Sequence, residues 1–192
     1  MELVIITQPD AFEGETDICN KLFADGLQRL HLRKPGASRE QLQAWIERIE
    51  PSFRKRIVLH DHHDLAMEYG LGGIHLNSRN PEAPDWLNRK RISLSRSCHS
   101  VAEVEACQKD YDYVFLSPIF DSISKQGYKA AFSKEELAEA KTRGILYNVY
   151  ALGGITFDKL QEAEHLGFAG AAMLGGFWES PNSPHRGMGN AL

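Results

Sequence analysis

The stretches YALGGIT (residues 150–156) and AMLGGFW (residues 172–178) decide how this chain is read. Each sets a glycine pair, Gly153-Gly154 and Gly175-Gly176, directly behind an apolar run that reads as a buried strand, 145–150 and 169–174. Glycine lets backbone approach a ligand closely, and unbonded N–H groups at a helix start attract anions. The first pair leads into a segment expected to turn helical from Thr156. Two such turns one βα unit apart match the phosphate site that βα-barrels build behind their last two strands. Either pair alone reads equally well as a tight strand-to-helix connection; together they point to a phosphorylated ligand.

Upstream, short apolar runs alternate with helix-like segments. Strands are expected at 3–7, 27–33, 57–60, 73–76, 92–95, 113–117, 145–150 and 170–174. Several are continuously apolar, as when both faces of a parallel sheet are covered. Ser38, Ser100 and Ser133 each stand three residues before Gln41, Glu103 and Glu136, the spacing of a capping box. Leu42, Trp45, Ile46 and Ile49 recur at helical spacing ahead of Pro51, and Gly26, Gly70 and Gly167 sit where helices should stop. Eight strands with intervening helices predict an α/β protein, a compact (β/α)8 TIM barrel over residues 1–179. Such barrels typically run to about 250 residues, so the helices must be short. An open doubly wound sheet is the alternative. The polar tail 180–192 is expected to lie outside the fold.

Composition narrows the function classes. The 192 residues hold 42% hydrophobic and 25% charged side chains, ordinary for one globular domain. A net charge of −4 argues against a nucleic-acid partner. No apolar run approaches the ~20 residues of a membrane span, and MELVIITQPD has no basic stretch before its apolar part, so neither a membrane segment nor a secretory signal is expected. Cys19, Cys98 and Cys107 are scattered, which suggests reduced packing thiols and a cytoplasmic protein.

Polar residues recur at the C-terminal ends of the expected strands, where a barrel carries its chemistry. His31 and Arg33 share one face at i, i+2, with Lys34 following; His60-Asp61, His75 and Asn77, Ser95 and Ser97, and Ser117 end the next strands. Ser122, Ser124 and Lys125 crowd the loop behind residue 117. Arg33, Lys34 and Lys125 together would suit a polyanion. The run HDHHD (60–64) does not match a known zinc spacing, because adjacent residues cannot all face one ion. Asp61 alone at a strand end is better suited to Mg²⁺.

These motifs, in this order, resemble the thiamine-phosphate synthase family and its thiazole-tautomerase relatives. HLRK (31–34) resembles the family's second-strand motif. LHDHHDLAMEYGLGGIHLNSRN (59–80) resembles its metal-binding stretch, and SRSCHS (95–100) its serine–histidine motif. YVFLSPIFDSISK (113–125), ALGGIT (151–156) and GAAMLGG (170–176) resemble its proline loop and its two phosphate turns. The resemblance implies a transferase that joins hydroxymethylpyrimidine pyrophosphate to a thiazole phosphate and releases pyrophosphate, with Mg²⁺ as cofactor. By position, Arg33, Lys125 and His60 would contact pyrophosphate, with Lys34 standing in for a lysine that falls at Pro35. Asp61 would hold Mg²⁺, with Asn80 where the family has a second acid. Ser97 and His31 would face the pyrimidine, and Ser122, Ser124, Gly153, Gly154 and Gly175 the thiazole phosphate. The implied partners are these small molecules only; a homo-oligomer stays open. His31 is closer to the tautomerase version of its motif, whereas Pro118 follows the synthases. The alternatives are therefore a tautomerase-like isomerase and a non-catalytic binder of thiazole or thiamine phosphate.

Overall fold

The computed structural model describes residues 1–121 and 130–180. Eight parallel strands close a barrel in chain order: β1 (Glu2–Ile6), β2 (Arg29–Leu32), β3 (Ile57–Leu59), β4 (Gly73–Leu76), β5 (Ser93–Cys98), β6 (Tyr113–Leu116), β7 (Val149–Ala151) and β8 (Gly170–Met173). The helices are α1 (Glu15–Ala24), α2 (Arg39–Glu47), α3 (Asp64–Glu68), α4 (Val101–Cys107), α5 (Lys134–Thr142), α6 (Leu160–His165) and α7 (Gly175–Trp178). The chain is thus an α/β protein of the (β/α)8 TIM-barrel class. It stays small because its longest helix among the described residues, α1, has 10 residues and because turns alone join β4 to β5. No helix among the described residues is long and apolar enough to cross a membrane. The expected tail falls, from residue 181 on, outside the described residues.

The chain divides into two compact units, one on Ile5–Leu94 and one on Met1–Val4 with Ser95–Ser180. In the first, β2, β3 and β4 pair in parallel, with Leu30 opposite Ile57 and Leu59 opposite Ile74. Leu42, Trp45, Ile46 and Ile49 are buried as their spacing predicts. Each buried aliphatic side chain of this kind contributes about 1.5–3 kcal/mol. The Ser38 box is complete: its hydroxyl accepts from the Gln41 N–H, and the Gln41 side chain accepts from the Ser38 N–H.

In the second unit, β5 to β8 pair in parallel, Ser97 lying opposite Phe115 and Tyr150 opposite Gly170. Tyr113 stacks on Tyr150 at 4.7 Å, and the Tyr150 hydroxyl donates to Glu2 at 2.6 Å. Ser100 and Ser133 cap α4 and α5. Cys98 lies 3.6 Å from Cys107, and burial pushes the Cys98 thiol up to about 12, so it is inert at neutral pH. The expected strand at 145–150 is shorter than predicted. Gly144, at φ 71°, starts a 3-10 turn over Ile145–Asn148, and only Val149–Ala151 joins the sheet.

Gly154 and Gly176, one from each glycine pair, pack closely against neighbouring backbone. A Cβ on Gly154 (φ +66°) would stand 2.4 Å from the Asp121 carbonyl oxygen, and one on Gly176 would stand 1.9 Å from that of Ile155. These glycines let two loops pack backbone to backbone. Gly154→Ala should therefore lose about 1–2 kcal/mol from the left-handed backbone alone, with the clash adding to it. Urea unfolding measures this; an unchanged midpoint would mean that the turn is looser than the structure has it.

Candidate active site

In the unit on Ile5–Leu94, Thr7 follows β1 and is fully buried. Its hydroxyl donates to the Arg33 carbonyl at 3.1 Å and accepts from the Arg33 N–H at 2.9 Å, which fixes the chain as it leaves β2. The Arg33 guanidinium is half-buried. Burial first, and then the positive charge of Arg79, draw its pKa down, with Asp61 acting in the opposite sense. Asp61 follows β3 and receives both Nε and Nη2 of Arg79 at 3.0 Å, a two-pronged fork. The Asn80 amide donates to the same carboxylate at 2.9 Å. Asn77 and Asn80 also donate to the His60 carbonyl, so the loop behind β4 is tied to the end of β3. Asp61, His63, Arg79, Asn80 and Glu82 line a cavity of about 580 Å³ here.

Three histidines meet inside this unit. His31 of β2, His60 just past β3 and His75 of β4 are all buried. The Nδ1 of His31 lies 2.9 Å from Nε2 of His60, and His60 stacks on His75 at 4.3 Å between ring centres. Burial is the main cause that pushes both His31 and His60 well below the ordinary histidine range, so these two rings are neutral at pH 7.

Lys34 does not join an anion site. Its ammonium donates to Glu15 at 2.7 Å and to the carbonyls of Gln8 at 2.7 Å and Asp10 at 3.2 Å, which uses all three hydrogens. The second oxygen of Glu15 accepts from the Trp45 indole at 2.9 Å, and both charged side chains are buried. A buried ammonium with its donors committed in this way pins β2 to α1 and α2 instead of facing a substrate.

In the other unit, Ser97 lies on β5. Gly154 lines a cavity of about 460 Å³ with Phe120, Asp121, Thr156, Asp158 and Lys159. Gly153 stands at φ +89°, packed on Pro118, and Gly175 opens α7. Ser122, Ser124 and Lys125 lie outside the described residues.

Mg²⁺ does not fit the residues as they stand. Both Asp61 oxygens are paired with a guanidinium, and Asn80 turns an N–H, not an oxygen, toward that carboxylate. The paired charge of Arg79 occupies the place a cation would take beside Asp61.

A family model described as thiamine monophosphate synthase matches residues 3–177. The chain belongs to this family. A solved thiamine phosphate pyrophosphorylase from Bacteroides thetaiotaomicron superposes with a TM-score of 0.85 at 40% identity, covering 96% of this chain and 88% of that one. A thiamine-phosphate synthase of Chlorobium limicola is 29% identical over 82% of this chain and 77% of its own length. One from Latilactobacillus sakei is 25% identical over 95% of this chain and 86% of its own. These names favour the synthase over the tautomerase and binder alternatives.

Arg79, Thr7 and Glu15 were missed in the sequence. Thr7 carried the signal of a polar residue at a strand end. Arg79 and Glu15 carried none, since a charged residue in a loop or a first helical turn is ordinarily solvated. Lys34→Met should cost about 3–5 kcal/mol in chemical denaturation, because it strands the buried Glu15 carboxylate. Pyrophosphate affinity of the folded variant should be unchanged. A variant of native stability with weakened pyrophosphate binding would restore Lys34 to the ligand set.

Proposed function

We propose that the chain is a thiamine-phosphate synthase, joining hydroxymethylpyrimidine pyrophosphate to a thiazole phosphate with release of pyrophosphate. The observation that carries this is the grouping of Arg33 and Arg79 around a single carboxylate, Asp61. Two guanidiniums near enough to repel each other, with one counter-charge between them, leave positive charge for a polyanion.

The C–O bond to the pyrophosphate breaks first, and its electron pair leaves with the phosphate oxygen. A pyrimidine-methyl cation remains, and the lone pair of the thiazole nitrogen closes the new C–N bond. Little covalent chemistry falls to the protein, which must position two rings and stabilise the leaving anion. Arg33, held by Thr7, is the proposed first ligand of the pyrophosphate, and Lys125 the proposed second. His31 and His60 offer the pyrimidine neutral nitrogens and add no charge that would repel the cation. The Ser97 hydroxyl is the other proposed pyrimidine contact. Gly153, Gly154 and Gly175, with Ser122 and Ser124, are the proposed thiazole-phosphate ligands. Thr156 and Lys159, which line the same cavity as Gly154, add a hydroxyl and an ammonium.

The test is direct. Purified protein given both substrates should release pyrophosphate and form thiamine phosphate in equal amounts. Arg33→Ala should lower kcat/KM by roughly a hundredfold, the cost of removing one donor to a developing anion. Tight binding of the product without any turnover of the substrate pair would support a binding protein instead.

A further inference from the structure

We infer that Cys98 and Cys107 form a reversible oxidation site, at which a hydroperoxide converts the two thiols to an intramolecular disulfide. Cys98 ends β5, and Cys107 is the last residue of α4. Their sulfurs stand 3.6 Å apart, in hydrogen-bond contact. Cys98 is buried, whereas Cys107 is half-exposed and can be reached from solvent. The segment that joins them is pinned. The His99 N–H donates to the Glu103 carboxylate at 2.7 Å, and the Ser100 hydroxyl accepts from the Glu103 N–H at 3.1 Å. Side chains alternate along β5, so Cys98 lies on the face opposite Ser97 and outside the site described above.

The half-exposed sulfur acts first. The Cys107 thiolate attacks one peroxide oxygen and the O–O bond breaks. The departing oxygen takes the electron pair and the proton that the thiol had lost, and Cys107 is left as a sulfenic acid. Cys98 then attacks the Cys107 sulfur. The S–O bond breaks, and the hydroxyl leaves as water with the proton that Cys98 gives up. With hydrogen peroxide, two thiols and one peroxide yield one disulfide and two waters, and the two electrons pass from sulfur to oxygen. Burial first, and then the charge and hydrogen bond of Cys107, push the Cys98 thiol up to about 12, so Cys98 does not start the reaction. Once Cys107 carries a neutral hydroxyl, the repelling charge is gone, and the held contact makes the second step effectively intramolecular. Arg96 acts electrostatically on both sulfurs, so its guanidinium stabilises the charge that moves from sulfur to oxygen. Closing the bond brings the sulfurs together by roughly 1.5 Å, which side-chain rotation at the end of α4 supplies. Nothing here depends on the transferase reaction.

Trypsin cuts behind Arg96 and Lys109, so both cysteines fall in one peptide, residues 97–109. The folded full chain is treated with a small excess of hydrogen peroxide, and its remaining thiols are alkylated in denaturant. Mass spectrometry should then find that peptide unalkylated and lighter by two hydrogen atoms. Dithiothreitol before alkylation should restore both thiols. Cys107→Ser should leave Cys98 alkylatable under the same treatment. Cys98→Ala should stop the reaction at the sulfenic acid, which dimedone captures at Cys107. A parent peptide that still takes two alkyl groups overturns the site, as does one with a sulfinic acid on Cys107 beside a free Cys98 thiol. A disulfide that joins two chains instead also overturns it. These readings come from the parent protein and hold however the variants fold.

Discussion

A closed barrel with both faces of its strands covered leaves no water inside to solvate a charge, so every ionisable group there must be paired or neutral. The unit on Ile5–Leu94 meets that constraint in two ways. Lys34 is paired, with its hydrogens committed to Glu15 and two carbonyls. His31 and His60 are discharged, held neutral by burial and bonded to each other. Charge with reactive potential is left to the strand ends, where Arg33, Asp61 and Arg79 gather beyond β2, β3 and β4.

At those ends the charge balance departs from a metal-centred arrangement. A carboxylate that would hold Mg²⁺ carries a guanidinium fork and an amide N–H. A fixed guanidinium costs no cation binding from solution, and its planar donors match phosphate oxygens as well as carboxylate. The loop behind β4 is held to the β3 end by Asn77 and Asn80, so Arg79 and Asp61 are set by a hydrogen-bonded frame as well as by attraction to each other.

Much of the fold was legible in the sequence because the strands are apolar runs and the helices carry their own caps; Ser38 with Gln41 is the clearest case. Residues 145–148 misled because a short apolar run does not distinguish a strand from a turn of helix. Lys34 could have been placed by parity. Side chains alternate along a strand, so Lys34 should point away from the face shared by His31 and Arg33, as its bond to Glu15 bears out. The glycine pairs held two readings that sequence cannot separate, since close approach of a ligand and close approach of another loop both exclude a Cβ. The meeting of His31, His60 and His75 was hidden for another reason: it depends on the register of three strands, which no local pattern encodes.

Calorimetric titration of pyrophosphate into the protein, in chelator and again in Mg²⁺, bears most directly on the claim that guanidiniums hold the leaving anion. The account predicts binding in both conditions, weakened at least tenfold by Arg79→Ala, a loss of about 1.4 kcal/mol. Binding that requires Mg²⁺ and is indifferent to Arg79→Ala would contradict it.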